Sequence, residues 1–167
     1  DLTELCLDLG GHMLMLGEVA KTQIEGIEIL KKVITSGKAF EKFKELVAAQ
    51  GGDIRVIDQT ELLPSTKFSQ SYKSHSEGYI TELNALDIGL ASVKLGAGRE
   101  TMASKIDHGA GIILKKKIGD FVNKDEVLAV LYSNNANFEK AIEFMNLAYK
   151  ISKEKPPVTP LILKTMT

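Results

Sequence analysis

The densest run of residues able to do chemistry lies between Leu95 and Asp120. Four of its five glycines form two close pairs, Gly96 with Gly98 and Gly109 with Gly111, and Arg99, Asp107 and His108 fall between them. Glycine admits positive φ and close backbone approach, so the pattern predicts a backbone bent to fit something, either ligand or protein. Arg99 offers a guanidinium fork that matches phosphate, but it can equally pair with Asp107 and staple the loop shut, and the staple is the preferred reading. Asp107 or His108 would need a partner and a pocket to act as acid or base. Spacing shows neither, so Asp107 reads as a turn cap and His108 as an exposed loop residue.

The remaining reactive side chains are scattered. His12, His75 and His108 are far apart, none has a helical partner three or four residues away, and Cys6 is the lone cysteine. The familiar metal-ligand spacings are therefore absent. Lys115, Lys116 and Lys117 read as the solvated side of a strand. No phosphate loop of the Walker type, no Gly-x-Ser-x-Gly elbow and no Cys-His dyad occurs. On residue types and spacing the chain carries no catalytic, cofactor-binding or metal-ligating residue.

Composition sets the class. Among 167 residues, 44% are apolar and 26% charged, ordinary values for a soluble globular protein long enough to bury a core. A formal net charge of -1 argues against binding nucleic acid through a basic surface. A single cysteine allows no internal disulfide and suits a reducing, cytoplasmic setting. No apolar run approaches the roughly 20 residues of a membrane span, and no signal-peptide pattern opens the chain. Asp1-Leu2-Thr3-Glu4 runs directly into a helical pattern without an initiator methionine, which reads as a piece of something longer.

Several elements must position the glycine stretch. Leu2, Leu5, Leu9, Met13 and Leu16 mark a first helix, interrupted by Gly10-Gly11, whose lack of side chains suits close packing. Thr22 caps a second helix bearing Ile24, Ile27, Leu30 and Ile34, with Glu25 in the capping-box position. Phe40, Phe43 and Val47 stripe a third, ended by Gly51-Gly52. About fifty residues give these helices too small a core of their own, so they are expected to pack on the rest of a parent protein. The polar stretch from 53 to 76, rich in serine and lysine from Ser65 to Ser76, reads as a domain boundary. Tyr79 to Leu83 alternates as a strand. Asn84 then caps a helix through Leu86, Leu90 and Val93 that stops at Gly96, so the glycine loop follows a helix, whereas a nucleotide phosphate loop precedes one. Ile112 to Leu114 and Val127 to Tyr132 read as strands, the second buried on both faces. Ile118-Gly119-Asp120 marks a turn, Asn134-Asn135 lead into a helix carrying Phe138, Ile142, Met145 and Tyr149, and Leu161-Ile162-Leu163 closes as an edge strand. The order indicates α+β.

Leu95-Gly96-Ala97-Gly98-Arg99, continued by Ile106-Asp107-His108-Gly109-Ala110-Gly111 and Ile118-Gly119-Asp120, closely resembles the C-terminal domain of the pyrimidine-nucleoside phosphorylase family, which includes thymidine phosphorylase. Gly11-His12-Met13-Leu14, Ser36-Gly37-Lys38-Ala39, Val47-Ala48-Ala49-Gln50-Gly51-Gly52, Leu62-Leu63-Pro64 and Gly78-Tyr79-Ile80 resemble further family segments in the same order. Each motif is short, but the ordered run is specific.

The resemblance implies a helical segment of a large α/β domain over residues 1–64, then an α/β-hammerhead C-terminal domain, related to barrel-sandwich hybrids, over 65–167. It implies a parent pentosyltransferase of nucleoside salvage, cleaving a pyrimidine nucleoside with inorganic phosphate to free base and pentose 1-phosphate. The family's phosphate- and base-binding residues precede the matched segment, as does the potassium site of some members. This chain would thus be structural and inactive alone, stiffening a mobile lobe whose closure on the helical domain brings the substrates together. The parent is expected to be a homodimer through an N-terminal helical domain absent here, with no nucleic-acid or membrane partner. A second resemblance, over Ile112 to Val122 and Glu126 to Leu128, is to the strand-turn-strand of biotinyl and lipoyl carriers. Their Met-Lys-Met or Asp-Lys-Ala lysine triplet is missing.

Overall fold

A computed structural model of the chain describes residues 1–157 and 159–164. These divide into two units, one of residues 1–60 with 159–164 and the other of residues 61–157. The architecture is α+β: six α-helices and two small antiparallel sheets among the described residues.

The first unit is helical. Helix α1 (Leu2–Leu16) runs unbroken through Gly10 and Gly11, so the glycine pair does not interrupt it. The pair serves close packing instead: a Cβ on Gly10 would lie 2.6 Å from Leu30 Cδ1, and one on Gly11 would lie 2.8 Å from the Gln23 carbonyl oxygen. Helix α2 (Gln23–Thr35) is capped by Thr22, whose hydroxyl accepts from the Glu25 N–H at 3.2 Å. Glu25 returns its carboxylate to the Lys21 N–H at 2.8 Å, one residue before the reciprocal bond of a standard capping box. Gly37, at φ 78°, allows the turn into α3 (Lys38–Ala49). A short α4 follows (Arg55–Asp58). Buried residues in this helical stretch are Gly11, Ala20 and Gly26, all small, while Leu2, Leu16, Ile24 and Phe43 are exposed. The apolar stripes of α1–α3 thus lack a core of large side chains of their own.

The second unit holds the core. Strand β1 (Phe68–Lys73) lies in the polar stretch that the sequence suggests is a domain boundary. Its serines and lysines are poor strand formers, and only Tyr72 within it is buried, so its pairing as an edge strand on β5 overrides local preference. Strand β2 (Gly78–Leu83) buries Ile80 and leads to Asn84, whose side chain accepts from the N–H groups of Leu86 and Asp87 to cap α5 (Ala85–Ser92). The expected stripe of α5 is corrected: Ala91 and, just beyond, Leu95 face the core, whereas Leu86 is 70% exposed.

Strands β3 (Gly111–Leu114), β4 (Phe121–Val122) and β5 (Val127–Ser133) follow. One sheet has the order β1-β5-β3, which makes β5 central and buries Leu128, Ala129, Leu131 and Ser133 on it. Helix α6 (Glu139–Ala148) starts where the Asn137 carboxamide accepts the Glu139 N–H at 2.9 Å. Tyr149, expected on the helical stripe, opens β6 (Tyr149–Ser152), which pairs with β2 to complete the second sheet, β4-β2-β6. Leu161 to Leu163 form no strand, so the edge expected there is supplied by β6. Phe138 and Met145 of the predicted stripe are buried as expected.

Between β3 and β4 the three lysines do not continue the strand, which ends at Leu114. Lys116 instead reaches Glu126 at 2.7 Å, with the two side chains 29% and 30% exposed. The Lys116 ammonium, helped by the Asn123 N–H, holds the Glu126 carboxyl at about 2, against an ordinary 4.5. A depressed folded-state value contributes stability above the unfolded value that is lost as pH falls from about 4.5 toward 2. We expect Glu126→Gln to unfold at lower denaturant than the unaltered chain near neutral pH, with the gap closing at about pH 2. An equal gap at both pH values would refute the ion-pair account.

Candidate functional site

The glycine stretch is built by a helix that ends abruptly. After α5 the backbone widens into a π turn, Val93–Ala97, in which Leu95 is buried and Gly96 takes φ 106°. A side chain there would be strained, which explains the glycine. The Gly96 carbonyl accepts the Asp107 N–H at 2.9 Å and so closes the base of a loop over residues 98–106.

Asp107 is the centre of the closure. One carboxylate oxygen accepts the Gly109 N–H at 3.0 Å, and the other accepts from the Asn134 carboxamide at 2.8 Å. Asn134 in turn accepts the Lys67 N–H at 3.0 Å. Beside it the buried Ser133 hydroxyl donates to the Leu95 carbonyl at 2.8 Å and accepts the Asn135 N–H. Gly109 is needed because a Cβ would come within 2.9 Å of Ser65 backbone. The Asn134–Asp107 and Ser133–Leu95 bonds join the loop to the end of β5.

The staple expected between Arg99 and Asp107 is not formed. Arg99 is exposed, and no ion pair joins the two among the described residues. The loop's ion pair is Lys94 with Glu100 at 3.0 Å. Asp107 is bonded instead to neutral N–H groups, one on each carboxylate oxygen. Asp107 acts as a turn cap, as the plainer reading holds, and His108 is exposed beside it. We expect Asp107→Ala to destabilise the 61–157 unit by about 2 kcal/mol, because two N–H donors lose their acceptors, while Arg99→Ala changes it by less than about 0.5 kcal/mol. Urea unfolding of both variants checks this, and the reverse ranking would restore the staple.

The other sequence candidates stay apart. Cys6 is a free, exposed thiol, and among the described residues no group of three or more His, Cys, Asp or Glu side chains is placed to hold a metal. Strand β5 leads through Asn134–Asn137 into α6, so no lysine stands where a carrier hairpin would present one. No described helix is long and apolar enough to cross a membrane.

His75, isolated in the sequence, gains partners in the fold. The Tyr72 hydroxyl donates to Asn146 Oδ1 at 2.9 Å, and His75 Nε2 lies 3.2 Å from the same oxygen. The Tyr72 ring meets His75 edge-on at 6.1 Å and tilts against Tyr149 at 5.7 Å. Burial pushes the Tyr149 phenol up to about 12 and raises that of Tyr72, so both remain donors near neutral pH. Asn146 is 71 positions from His75, and no local signal in the sequence connects them.

Residues 79–152 match the family described as pyrimidine nucleoside phosphorylase C-terminal domain. A pyrimidine-nucleoside phosphorylase of Staphylococcus haemolyticus is 42% identical over 167 residues, covering 100% of this chain and 38% of the relative. One from Staphylococcus epidermidis is 41% identical over 168 residues, again with 38% of its length covered. One from Staphylococcus aureus is 43% identical over 152 residues, covering 91% of this chain and 35% of the relative. The chain thus spans well under half the length of the curated relatives it matches.

Proposed function

We propose that the chain, whose residues 79–152 match the family described as pyrimidine nucleoside phosphorylase C-terminal domain, is the C-terminal portion of an enzyme that cleaves pyrimidine nucleosides with inorganic phosphate. A phosphate oxygen bonds to the sugar C1′, the glycosidic C–N bond breaks, and its electron pair leaves with the base, which takes a proton. The products are free base and pentose 1-phosphate. The observation that carries this reading is identity of 42% sustained over the whole chain with a relative of that name.

The role of this portion is structural. Asp107 spends both carboxylate oxygens on neighbouring N–H groups of its own unit, which supports assigning phosphate, nucleoside and any potassium ion to segments outside the chain. Residues 1–64 would form part of the large α/β domain. Leu2, Leu16 and Ile24, at 70%, 81% and 73% exposed, have no local core to enter and suit burial against the remainder of that domain. Dimerisation would use a helical domain that this chain does not contain, and the enzyme would work in the cytoplasm without nucleic acid or membrane.

The test is phosphate-dependent release of uracil or thymine from uridine or thymidine. A parent protein containing this sequence should release the base only when phosphate is present, and the purified 167-residue chain should release none. A parent without phosphate-dependent release refutes the reaction; release by the chain alone refutes the structural role.

A further inference from the structure

Each of the two small sheets ends in edge strands, and all but one of these edges are guarded. In the β1-β5-β3 sheet, β1 contains Lys73 and follows Lys67; in the β4-β2-β6 sheet, β4 is two residues long, and β6 contains Lys150 and is followed by Lys153. Shortness and lysines are common means of keeping an edge from pairing with another chain. Strand β3 has neither, since Gly111-Ile112-Ile113-Leu114 holds no charge and no proline.

Its hydrogen bonds show which groups the edge presents. The Lys115 N–H donates to the Leu128 carbonyl at 2.8 Å, continuing the antiparallel register in which Ile113 faces Val130 and Gly111 faces Tyr132. Alternate residues of such a ladder bond to the neighbouring strand, so Gly111 and Ile113 turn their N–H and C=O groups toward β5, and Ile112 and Leu114 turn theirs away from it. No described strand lies on that side, and outside the sheet these two residues make no backbone hydrogen bond among the described residues. The Ile112 and Leu114 side chains pack on the core, which puts Ile113 on the opposite face, 48% exposed.

We propose that β3 pairs antiparallel with β3 of a second copy of this chain, joining two three-stranded sheets into one of six strands. One register satisfies the edge. With Ile113 facing Ile113 of the second copy, Ile112 faces Leu114 in both directions, and every outward N–H meets an outward carbonyl. The contact is its own complement about a two-fold axis. Its central pair is a non-hydrogen-bonded one, where side chains approach most closely, so the two exposed isoleucines cover each other. Lys115 then faces Gly111 of the second copy, so no like charges oppose. An antiparallel β1 pair, with Lys67 and Lys73 at its two ends, would bring lysines together at both. The β3 contact lies wholly in the second unit and is separate from the dimerisation assigned above to a domain outside the chain.

Amide hydrogen exchange of the 167-residue chain at a series of concentrations, with sedimentation equilibrium alongside, tests it. The contact is small, so a weak dimer is expected, populated as the concentration rises toward about 1 mM. The Ile112 and Leu114 amides should exchange freely in dilute solution and slow about tenfold as the dimer comes to predominate. The Ile113 amide, turned toward β5, should be protected at every concentration. Ile113→Lys sets like charges face to face on the two-fold axis and should weaken dimerisation about tenfold, whereas Leu16→Lys in the helical unit should leave it unchanged. If Ile113→Lys fails to fold, the exchange pattern of the unaltered chain decides by itself. The proposal is overturned if the chain stays monomeric at about 1 mM, or if a dimer forms without slowing Ile112 and Leu114. It is equally overturned if those two amides are already protected in dilute solution, which would put another segment of the chain on the edge, or if folded Ile113→Lys dimerises as the unaltered chain does.

Discussion

Leu131→Ala will lower the unfolding free energy of the 61–157 unit by about 3 to 4 kcal/mol. Leu131 is 0% exposed on β5, the central strand, opposite Gln70 of β1 and Ile112 of β3. It shares a cluster with Ile80, Val122, Leu128 and Met145, each almost wholly buried. Removing its isobutyl group loses the transfer free energy of the deleted atoms and leaves a cavity, because a strand held by ladders on both sides has little room to collapse inward. An edge position gives the contrast. Phe68 on β1 is 43% exposed, and Phe68→Ala should cost well under half as much despite removing more atoms. Urea unfolding with an unchanged slope measures both. A Leu131 effect below about 1 kcal/mol would mean that β5 is not the mechanical centre of this unit.

Gly26→Ala will separate α1 from α2. A Cβ on Gly26 would stand 2.7 Å from the Gly11 carbonyl oxygen and 3.0 Å from Gly11 Cα. Both are backbone atoms of a helix, and no flexible side chain can yield to relieve the clash. Alanine is the better helix former by about 1 kcal/mol, which offsets part of the cost. Overpacking of this kind costs about 1 to 3 kcal/mol, more when backbone opposes backbone, so a net loss of about 2 kcal/mol is expected. For helices whose buried residues are only small ones, that loss is a large share of their stability. Amide hydrogen exchange should show α1 and α2 losing protection together. Gly89→Ala in α5 is the control: its Cβ would meet nothing within 4 Å, so it should be neutral or stabilising by up to about 1 kcal/mol. Unchanged exchange in Gly26→Ala would show that the helices can slide apart without loss.

Much of the architecture is written in short-range pattern. Thr22 three residues before Glu25, and Asn84 before Leu86 and Asp87, mark helix starts because a side-chain oxygen there reaches N–H groups that the helix leaves unpaired. Continuous apolar character identified β5 as a buried strand, and the order of elements indicated α+β. The glycine stretch was legible as a bent loop, since Gly96 at φ 106° is a local requirement. Strand β1 was not legible. Apart from Phe68 and Tyr72 its residues have little strand preference, and its pairing with β5 joins positions some sixty apart, as in Phe68 with Ser133. Edge strands escape detection because half their character comes from the neighbour.

The same distinction governs the candidate sites. Local sequence sufficed for the family resemblance and for the turn role of Asp107, because both depend on residues close along the chain. Which partners Asp107 takes was settled by folding. Asn134, at the end of β5, and Gly109 donate to its two oxygens, and the Arg99 guanidinium is left exposed. The cluster of Tyr72, His75 and Asn146 likewise exists only because β1, the turn after it and α6 are brought together. Backbone propensity and capping act within a few residues. Hydrogen-bond partnership and cavity shape depend on atoms that meet only when distant segments pack, and no spacing rule carries that information.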